Sequence, residues 1–319
     1  MNGMPISCGR REFLRLGLGA VGAGAFAGCF SCDGRLGAVS RFRGIQLGAI
    51  TYSFRSMPGR ETDALAMVGS CRESGVGSVE LMGRTVESFL RAPTARGDDP
   101  EGVKRVTAWR ERFDDWGRVR ELRDRFADAG IGIHIVKFGE AGQAVTSDAE
   151  NDYFCRVARE MGARIVTREL PKPALWETEG RRLAKIADRN DVRIAFHNHG
   201  QLTRDTYEGV LLGYSQNLGI NFDIGHYVSA NDDDPLAFVR RFHDRIASVH
   251  LKDRTTKAHG QKNLPWGEGE TPLGPLFALM LKEGYGFHAD VELEYRIPSG
   301  SDAVREVARC IRHAQGLIG

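Results

Sequence analysis

Short apolar runs rich in valine and isoleucine alternate along the chain with longer segments in which apolar residues recur every three or four positions. The first pattern is typical of buried strands and the second of amphipathic helices. From Gly44 onward it predicts eight strands, over Ile45–Ser53, Ser78–Met82, Gly132–Phe138, Arg164–Thr167, Arg193–His197, Gly219–Asp223, Ser248–Leu251 and Ala289–Glu294. It predicts eight helices, over Thr62–Ser74, Trp116–Ala129, Ala149–Met161, Trp176–Arg189, Thr206–Gly213, Pro235–Phe242, Pro272–Glu283 and Ser301–Gln315.

Eight strand–helix units favour one α/β domain, a closed (β/α)8 TIM barrel over residues 44–319. A doubly wound sheet is the other arrangement of such units, but its glycine-rich dinucleotide turn is missing after the first strand. The polar stretch Gly83–Asp115 follows the second strand, so we expect a lid or rim on the C-terminal face, or a disordered insertion. Its charged second half, Pro100–Asp115, indicates a solvated face.

The composition is that of a globular protein with balanced charge. Of 319 residues, 41% are hydrophobic and 27% are charged, and the formal net charge is +2. This balance argues against a disordered chain and against the strongly basic surface of a nucleic-acid-binding protein. The whole positive excess lies in residues 1–28, where three arginines face one glutamate, so the rest of the chain is formally neutral.

The N-terminus has the layout of an export signal, in which a basic region precedes a short apolar segment. Arg10 and Arg11 are followed by Phe13 and then by the glycine- and alanine-rich run Leu16–Ala27. That run is shorter than the roughly 20 residues that span a bilayer. Paired arginines before Phe-Leu resemble the twin-arginine signal, so residues 1–28 are expected to be a cleavable export signal.

Two cleavage sites compete at the end of this signal. Ala25-Phe26-Ala27 is a small-x-small peptidase site, whereas Phe26-Ala27-Gly28-Cys29 resembles a lipoprotein box and would leave Cys29 lipidated. Either reading predicts an exported protein, periplasmic or lipid-anchored, with a tether over residues 29–43 before the barrel. Three further cysteines lie in helical apolar patterns and are expected to be buried free thiols: Cys71, Cys155 and Cys310.

Imidazole and carboxylate side chains concentrate at the predicted C-terminal ends of four consecutive strands, where barrels build their active sites. These residues are His197 and His199 on the fifth strand, Asp223 and His226 on the sixth, His250 on the seventh, and Glu292 and Glu294 on the eighth. Such ligands suit Zn²⁺, Mn²⁺, Fe²⁺ or Co²⁺. Their convergence predicts a metal site, although a hydrogen-bonded structural role is the better interpretation of any one histidine alone.

Several motifs carry a family resemblance: Phe-Asp-Ile-Gly-His at 222–226, Val-His-Leu-Lys-Asp-Arg at 249–254, Trp-Gly-Glu-Gly-Glu at 266–270 and Val-Glu-Leu-Glu at 291–294. From Gly44 onward the chain resembles the xylose isomerase-like sugar phosphate isomerase/epimerase family. This superfamily also contains the endonuclease IV type of enzymes. The resemblance implies a metal-dependent (β/α)8 barrel holding one divalent ion, Mn, Zn, Co, Fe or Mg.

The resemblance also implies roles for individual residues. Asp223, His250 and Glu292 match the family's metal ligands, and His226 matches a histidine that contacts substrate. His197 departs from the pattern, because the epimerases carry a glutamate there and use two metal-bound glutamates as acid and base. Since histidine both ligates metals and moves protons near neutral pH, His197 is expected to be the fourth ligand and a catalytic group.

Glu292 is the first choice for the carboxylate that both ligates the metal and accepts the substrate proton, with Glu294 as the alternative. Other side chains near the predicted strand ends are expected to bind substrate: His226, His199, Lys252, Glu80, Lys137, Glu294 and Trp266. Rim ion pairs, a solvated lysine or, for the tryptophan, surface packing are the alternatives. His134 is out of phase with Lys137, so regular alternation predicts that it faces the helices.

These expectations converge on an exported, metal-dependent sugar isomerase or epimerase that removes a proton next to a carbonyl. A lyase acting on keto-sugars or 3-keto-glycosides is the alternative within the enzyme class. A non-catalytic, exported sugar-binding lipoprotein is the alternative outside it. An endonuclease IV-like nuclease is disfavoured by charge and export, so the expected partner is a small sugar rather than a nucleic acid, with membrane contact only through the signal or a lipid.

Overall fold

Eight parallel strands close into a barrel in this computed structural model, which describes residues 38–59, 62–95, 99–139, 146–207 and 212–319. The strands are β1 Ile45–Ile50, β2 Ser78–Met82, β3 Gly132–Lys137, β4 Ile165–Glu169, β5 Arg193–His197, β6 Leu218–Asp223, β7 Ile246–Leu251 and β8 His288–Val291. Each pairs with the next, and β8 pairs with β1 in parallel register. The predicted single (β/α)8 barrel is therefore confirmed.

The predicted export signal, Cys29 and most of the tether lie outside the described residues. The end of the tether is described and belongs to the folded unit. Arg41 and Phe42 form a short antiparallel strand against the start of β1. Ser40 is buried and donates a 2.6 Å hydrogen bond to the carbonyl of Leu47, so the contacts of the barrel begin before Gly44.

The described helices are α1 Ala64–Glu73, α2 Gly83–Phe89, α3 Pro100–Arg112, α4 Trp116–Asp128, α5 Asp148–Glu160, α6 Trp176–Asn190, α7 Ile224–Ala230, α8 Pro235–Phe242, α9 Leu273–Glu283 and α10 Ala303–Ile318. Side-chain caps begin several of them, as at Ser147, which forms a capping box with Glu150 at the start of α5. The predicted helix Thr206–Gly213 is described only at its two ends. Its described part is a 3₁₀ turn at Arg204–Tyr207 followed by a turn at Leu212, and residues 208–211 lie outside the described ranges.

The long polar stretch after β2, expected to be a lid, a rim or a disordered insertion, contains two helices, α2 and α3. Trp109 of α3 packs edge-on against Tyr153 of α5, with ring centroids 5.8 Å apart. Arg110 of α3 is held between Glu87 at 2.7 Å and Glu150 at 3.0 Å. The expected solvated face is present on one side of this helix, where Glu101, Lys104 and Arg105 are exposed, whereas the other side is packed on its neighbours.

The strand β3 carries one extra residue. Val79 of β2 pairs with Ile133, but the next residue, Glu80, pairs with Ile135, so His134 is an insertion in the ladder. Such a bulge re-aims side chains relative to regular alternation. The prediction that His134 faces the helices is wrong for this reason, and its ring lies inside the barrel.

That ring belongs to a buried polar cluster at the base of the barrel, where the strands begin. Oγ of Ser78 lies 2.9 Å from Nδ1 of His134 and 3.1 Å from Nδ1 of His288, and the two imidazole rings stack at 4.0 Å. Nε2 of His134 lies 2.9 Å from Oδ2 of Asp290. Burial, followed by the neighbouring His134, lowers the pKa of His288 well below its ordinary value, so this ring stays neutral.

The expected buried thiols are confirmed. Cys71, Cys155 and Cys310 are free and buried, and burial raises the pKa of each to about 12. Thiols of this kind are poor nucleophiles because the reactive thiolate is scarcely populated. Separately, among the described residues no helix is both long enough and apolar enough to cross a membrane.

Candidate active site

Charged and imidazole side chains gather at the mouth of the barrel, where the carboxyl ends of the strands meet. They come from the last residues of the strands or from positions next to them: Lys137 of β3, Glu169 of β4, His197 of β5, Asp223 of β6, His250 of β7 and Glu292 directly after β8. This is the edge at which barrel enzymes place their chemistry.

Four of these residues form a buried cluster whose donor atoms all lie within 4.8 Å of one another: His197, Asp223, His250 and Glu292. None is more than 6% exposed. Two imidazole nitrogens and two carboxylate oxygens are a donor set that Zn²⁺, Mn²⁺ and Fe²⁺ take in proteins. The structure thus brings together all four side chains that the sequence predicted as ligands.

Two asparagines hold this cluster in place, and sequence reasoning did not identify them. Oδ1 of Asn221 lies 2.7 Å from Nδ1 of His197, so Nδ1 donates and Nε2 is the nitrogen that remains for a ligand. Burial lowers the pKa of His197 well below its ordinary value and leaves the ring neutral. Asn198 brackets the backbone of Asp223, accepting from its N–H at 2.9 Å and donating to its carbonyl at 3.1 Å. These contacts and the donor set fit a divalent cation.

The ammonium of Lys252 lies inside the same cluster. The strand β7 ends at Leu251, and the lysine side chain turns inward, so that Nζ is 2.9 Å from Oδ2 of Asp223, 2.9 Å from Oε2 of Glu292 and 2.7 Å from Oε2 of Glu294. Burial opposes its charge, but the three carboxylates outweigh burial and raise the pKa of Lys252 well above its ordinary value. Lys252 is therefore a buried cation that shares oxygens with the candidate metal site.

His250 is clamped between two carboxylates. Nδ1 lies 2.9 Å from Oε2 of Glu292, and Nε2 lies 2.8 Å from Oε2 of Glu80. Burial disfavours the imidazolium, but the charges of Glu80 and Glu292 dominate and raise the pKa of His250 well above its ordinary value. Both nitrogens then carry protons, so a metal ion that takes His250 as a ligand must release one of them.

The two carboxylates of the cluster differ in their proton affinity. Burial raises the pKa of Asp223 to about 7, although Lys252 pulls in the opposite direction. Burial also opposes the charge of Glu292, but Lys252 and His250 outweigh it and hold the pKa of Glu292 well below its ordinary value. Glu292 is thus ionised and poised to accept a proton, whereas Asp223 holds a proton more readily than an ordinary aspartate.

Glu80, expected to contact substrate, lies beneath the cluster and is fully buried. Its oxygens are occupied by Thr167 at 2.6 Å, by Asn221 at 3.0 Å and by His250 at 2.8 Å. Because all of these contacts are made inside the barrel, Glu80 is placed to orient His250 and not to contact substrate at the mouth. A carboxylate so placed behind a metal histidine also fixes the orientation of that ring.

His226 lies beside the cluster at the start of α7. Its backbone N–H donates to Oδ1 of Asp223 at 2.7 Å, and Nδ1 accepts from Nη1 of Arg254 at 2.6 Å. Burial, followed by the charge of Lys252, lowers the pKa of His226 to about 2, so the ring is neutral and Nε2 carries its proton. That nitrogen lies 3.9 Å from Oε2 of Glu294, on the β8 side of the mouth.

Glu169 is a mouth residue that sequence reasoning missed. Oε1 lies 3.0 Å from Nζ of Lys137, and Oε2 lies 3.2 Å from Nδ1 of His199. The strand β4 runs two residues beyond its predicted end at Thr167, and Glu169 is its last residue. A longer predicted strand would have placed this carboxylate at a strand end, beside the other candidate residues. His199 is the most accessible of the three, with 39% of its side chain exposed.

Trp266 was expected to stack on a sugar ring, with surface packing as the alternative. It is buried, and its ring meets His313 of α10 edge-on, with centroids 6.2 Å apart. This contact packs the loop after β7 onto α10.

Solved structures share the architecture at low identity. A sugar phosphate isomerase/epimerase from Parabacteroides distasonis is 17% identical, covers 86% of this chain and 96% of its own, and has a TM-score of 0.57. A 3-keto-D-glucoside 4-epimerase from E. coli is 13% identical, with 84% and 99% covered and a TM-score of 0.59. A probable 3-DHS dehydratase from Bacillus anthracis is 13% identical, with 83% and 97% covered and a TM-score of 0.61.

These likenesses lie below 25% identity and show the fold alone. No curated protein matches this chain. The family described as "Xylose isomerase-like TIM barrel" matches residues 70–314, which is well over half of the sequence. The barrel, its mouth cluster and this match agree, and the chain belongs to the xylose isomerase-like TIM barrel family.

Proposed function

We propose that the protein is a metal-dependent sugar isomerase or epimerase that removes and returns a proton on a carbon next to a carbonyl. The observation that carries this proposal is the buried cluster of His197, Asp223, His250 and Glu292 at the mouth. The similarity of the fold of this chain to sugar isomerases and epimerases supports a sugar as the substrate.

His197, Asp223, His250 and Glu292 would hold the metal. A divalent cation held there would supply a Lewis acid for the substrate carbonyl, which would make the neighbouring C–H acidic. Glu292, held ionised by Lys252 and His250, accepts the proton. Nε2–H of His226 donates to a substrate oxygen and orients it. Lys252 lies 2.9 Å from Glu292 and 2.7 Å from Glu294, where it stabilises negative charge that develops near both carboxylates.

Elimination is the second candidate reaction, and the placement of Lys252 favours it. Its ammonium and the carboxylate of Glu292 lie 2.9 Å apart, so a cation and a base stand on the same side of the mouth. In a 3-keto-glycoside Glu292 would remove the proton at C2 and return it to the leaving oxygen at C1, while the ammonium stabilises the negative charge that develops on that oxygen. A solved structure of the same fold is a probable dehydratase, which performs elimination chemistry.

The test combines metal analysis with proton exchange. The purified protein is assayed for bound transition metal and then incubated in D₂O with ketoses and 3-keto-glycosides, with products followed by NMR. Deuterium incorporation next to the carbonyl is expected, with a new stereoisomer for an epimerase or loss of the aglycone for a lyase. A protein that binds metal but exchanges no proton with any of these sugars would refute both reactions.

A sugar-binding protein without turnover is the remaining alternative, and the same assay separates it. That alternative requires sugar binding with no stoichiometric metal, and an Asp223→Ala variant as stable as the unaltered protein. The proposed reaction requires stoichiometric metal and a loss of stability in Asp223→Ala, because Asp223 is fully buried within the ligand cluster.

We also propose that the chain is exported by the twin-arginine route and matures as a periplasmic or lipid-anchored protein. The support is the order of Arg10, Arg11 and the apolar run Leu16–Ala27 in the sequence. Residues 1–35 fused to a reporter should direct export, and changing both arginines to lysine should abolish it. Unchanged export of the double variant would exclude the twin-arginine pathway, and a Cys29→Ser variant that still partitions with membranes would exclude the lipid anchor.

A further inference from the structure

We propose that Glu169 and Lys137 form a second substrate subsite, which binds the hydroxyl groups of the sugar remote from the reacting carbon, and that Glu169 sets specificity for them. This inference rests on the proposed sugar isomerase or epimerase function and adds a residue to it. The subsite lies on the β3–β4 side of the mouth, with His199 at its outer edge.

The barrel topology places this subsite opposite the proton-accepting carboxylate. In a closed sheet of eight strands, β4 and β8 face each other across the axis. Glu169 is the last residue of β4, and Glu292 follows the last residue of β8. His197 belongs to both groups: its donor atoms lie within 4.8 Å of those of Glu169 and His199, and within 4.8 Å of the other three ligands. A small sugar bound over His197 therefore meets Glu292 at one end and Glu169 at the other.

The polar atoms of the subsite retain hydrogen-bonding capacity. Nζ of Lys137 lies 3.0 Å from Oε1 of Glu169, and Oε2 of Glu169 lies 3.2 Å from Nδ1 of His199, but neither Nζ nor Oε2 makes a well-directed hydrogen bond with a described residue. Lys137 is 93% buried, since its side chain exposes only 7%, so its ammonium is not a solvated surface charge. A ligand hydroxyl can supply the well-directed partners that these buried atoms lack.

The charge of the pair indicates the chemistry of the ligand. The carboxylate of Glu169 and the ammonium of Lys137 lie 3.0 Å apart and neutralise each other. A neutral pair of one strong acceptor and one strong donor matches hydroxyl groups, because each hydroxyl both donates and accepts. It does not match a phosphate, which needs donors without a neighbouring carboxylate. Adjacent hydroxyls of a sugar would donate to Glu169 and accept from Lys137.

Access to the subsite is limited but present. The side chain of Glu169 is 18% exposed, and that of His199 is 39% exposed. The ring of His199 is nearly perpendicular to those of His197 and His226, at centroid distances of 5.0 Å and 4.9 Å. This row of imidazoles connects Glu169 to the β8 side of the mouth, so a ligand that enters past His199 contacts both ends at once.

The test uses an unreactive polyol, so that binding is separated from turnover. Binding of D-sorbitol and xylitol to the full-length protein is titrated by saturation-transfer NMR. The variants are Glu169→Gln and Lys137→Gln, with Glu177→Gln on α6, whose side chain is 67% exposed, as the matched control. We expect the dissociation constant to rise at least tenfold in the first two variants and to stay within twofold in the control. Thermal unfolding of each variant confirms that it is folded.

Three results would overturn the proposed subsite. Polyol binding by Glu169→Gln equal to that of the unaltered protein, or no polyol binding by the unaltered protein, overturns the subsite. Loss of bound metal in Glu169→Gln also overturns it, since Glu169 would then be a ligand together with His197 and His199. With a sugar that turns over in the deuterium assay, we expect KM to rise at least tenfold while kcat changes less than threefold. Failure of the deuterium assay refutes the proposed function and leaves the polyol result standing on its own.

Discussion

The ammonium of Lys252 lies 2.9 Å from Oδ2 of Asp223, so a buried cation of the protein shares an oxygen with the proposed metal site. The aliphatic part of this lysine occupies the space beside Gly225, where a Cβ atom would collide with Cγ of Lys252. The mouth therefore contains a fixed positive charge with which any bound metal ion must coexist.

Replacing Lys252 by methionine should strengthen metal binding. A unit charge 4 Å from another costs about 4 kcal/mol at an effective dielectric constant of 20, so we expect the affinity for Mn²⁺ to rise at least about tenfold. Calorimetric titration of metal-stripped protein measures this. Lys282→Met, at a side chain that is 79% exposed, is the control and should leave the affinity unchanged. An equal or weaker affinity in Lys252→Met would contradict the proposed competition for oxygens.

Removing the imidazole of His250 should destabilise the metal-free protein strongly. The change His250→Ala leaves Glu80 and Glu292 buried without the cation that lies between them. Breaking a buried ion pair by deleting one partner costs about 3–5 kcal/mol. Guanidinium unfolding should show a loss of this size, against less than about 1 kcal/mol for His259→Ala, whose exposed ring contacts Glu270 and Thr256 at the surface. Similar losses in the two variants would show that the clamp contributes little.

Stability should depend on pH through the base cluster. Folding lowers the pKa of His288 well below 6.5. Below pH 6.5 the unfolded chain therefore binds a proton on this ring, whereas the folded chain does not. The stability linked to this ring is present above pH 6.5 and is lost as pH falls, by up to about 1.4 kcal/mol per pH unit. In His288→Asn, which keeps a donor for Ser78, the loss of stability between pH 7 and pH 5 should be smaller by about 2 kcal/mol. Parallel pH curves for the two proteins would exclude this role.

Two glycines should respond in opposite directions to alanine. A Cβ at Gly48 would meet Oδ1 of Asp290 and the carbonyl oxygen of Ser78 at 2.9 Å, and the backbone oxygen has no room to move. Gly48→Ala should therefore cost at least about 2 kcal/mol, as overpacked core sites do. At Gly69 in α1 no atom lies within 4 Å of the added Cβ, so Gly69→Ala should stabilise by about 0.5–1 kcal/mol. Chemical denaturation measures both, and equal shifts would show that the barrel relaxes around Asp290.

Sequence periodicity was sufficient for the barrel and for the gathering of imidazole and carboxylate side chains at its strand ends, because apolar runs mark the strands. The choice of His197, Asp223, His250 and Glu292 among them came from the family resemblance. It failed where a local feature overrode the pattern. The helix α3 has enough charge to resemble a solvated segment, and its packing on α5 depends on aromatic contacts distant in sequence, such as Trp109 with Tyr153. Glu169 was missed because β4 was predicted two residues too short.

The inward turn of Lys252 was equally hidden in the sequence. The end of β7 at Leu251 was predicted correctly, but the inward turn of the next side chain depends on the absence of a side chain at Gly225, which a hydrophobic pattern does not show. The two asparagines that hold the cluster, Asn198 and Asn221, were missed for a related reason. Their role comes from hydrogen bonds to neighbouring strands, which neither a hydrophobic pattern nor the charge of a side chain indicates.

The inserted residue in β3 has a consequence for how one scaffold carries two polar sites. In a regular strand, alternation would turn either His134 or Lys137 outward, because the two residues are three positions apart. The insertion at His134 lets the same strand contribute an imidazole to one end and an ammonium to the other. One additional residue therefore turns two side chains at odd spacing into the interior of the barrel, where each joins a different polar group.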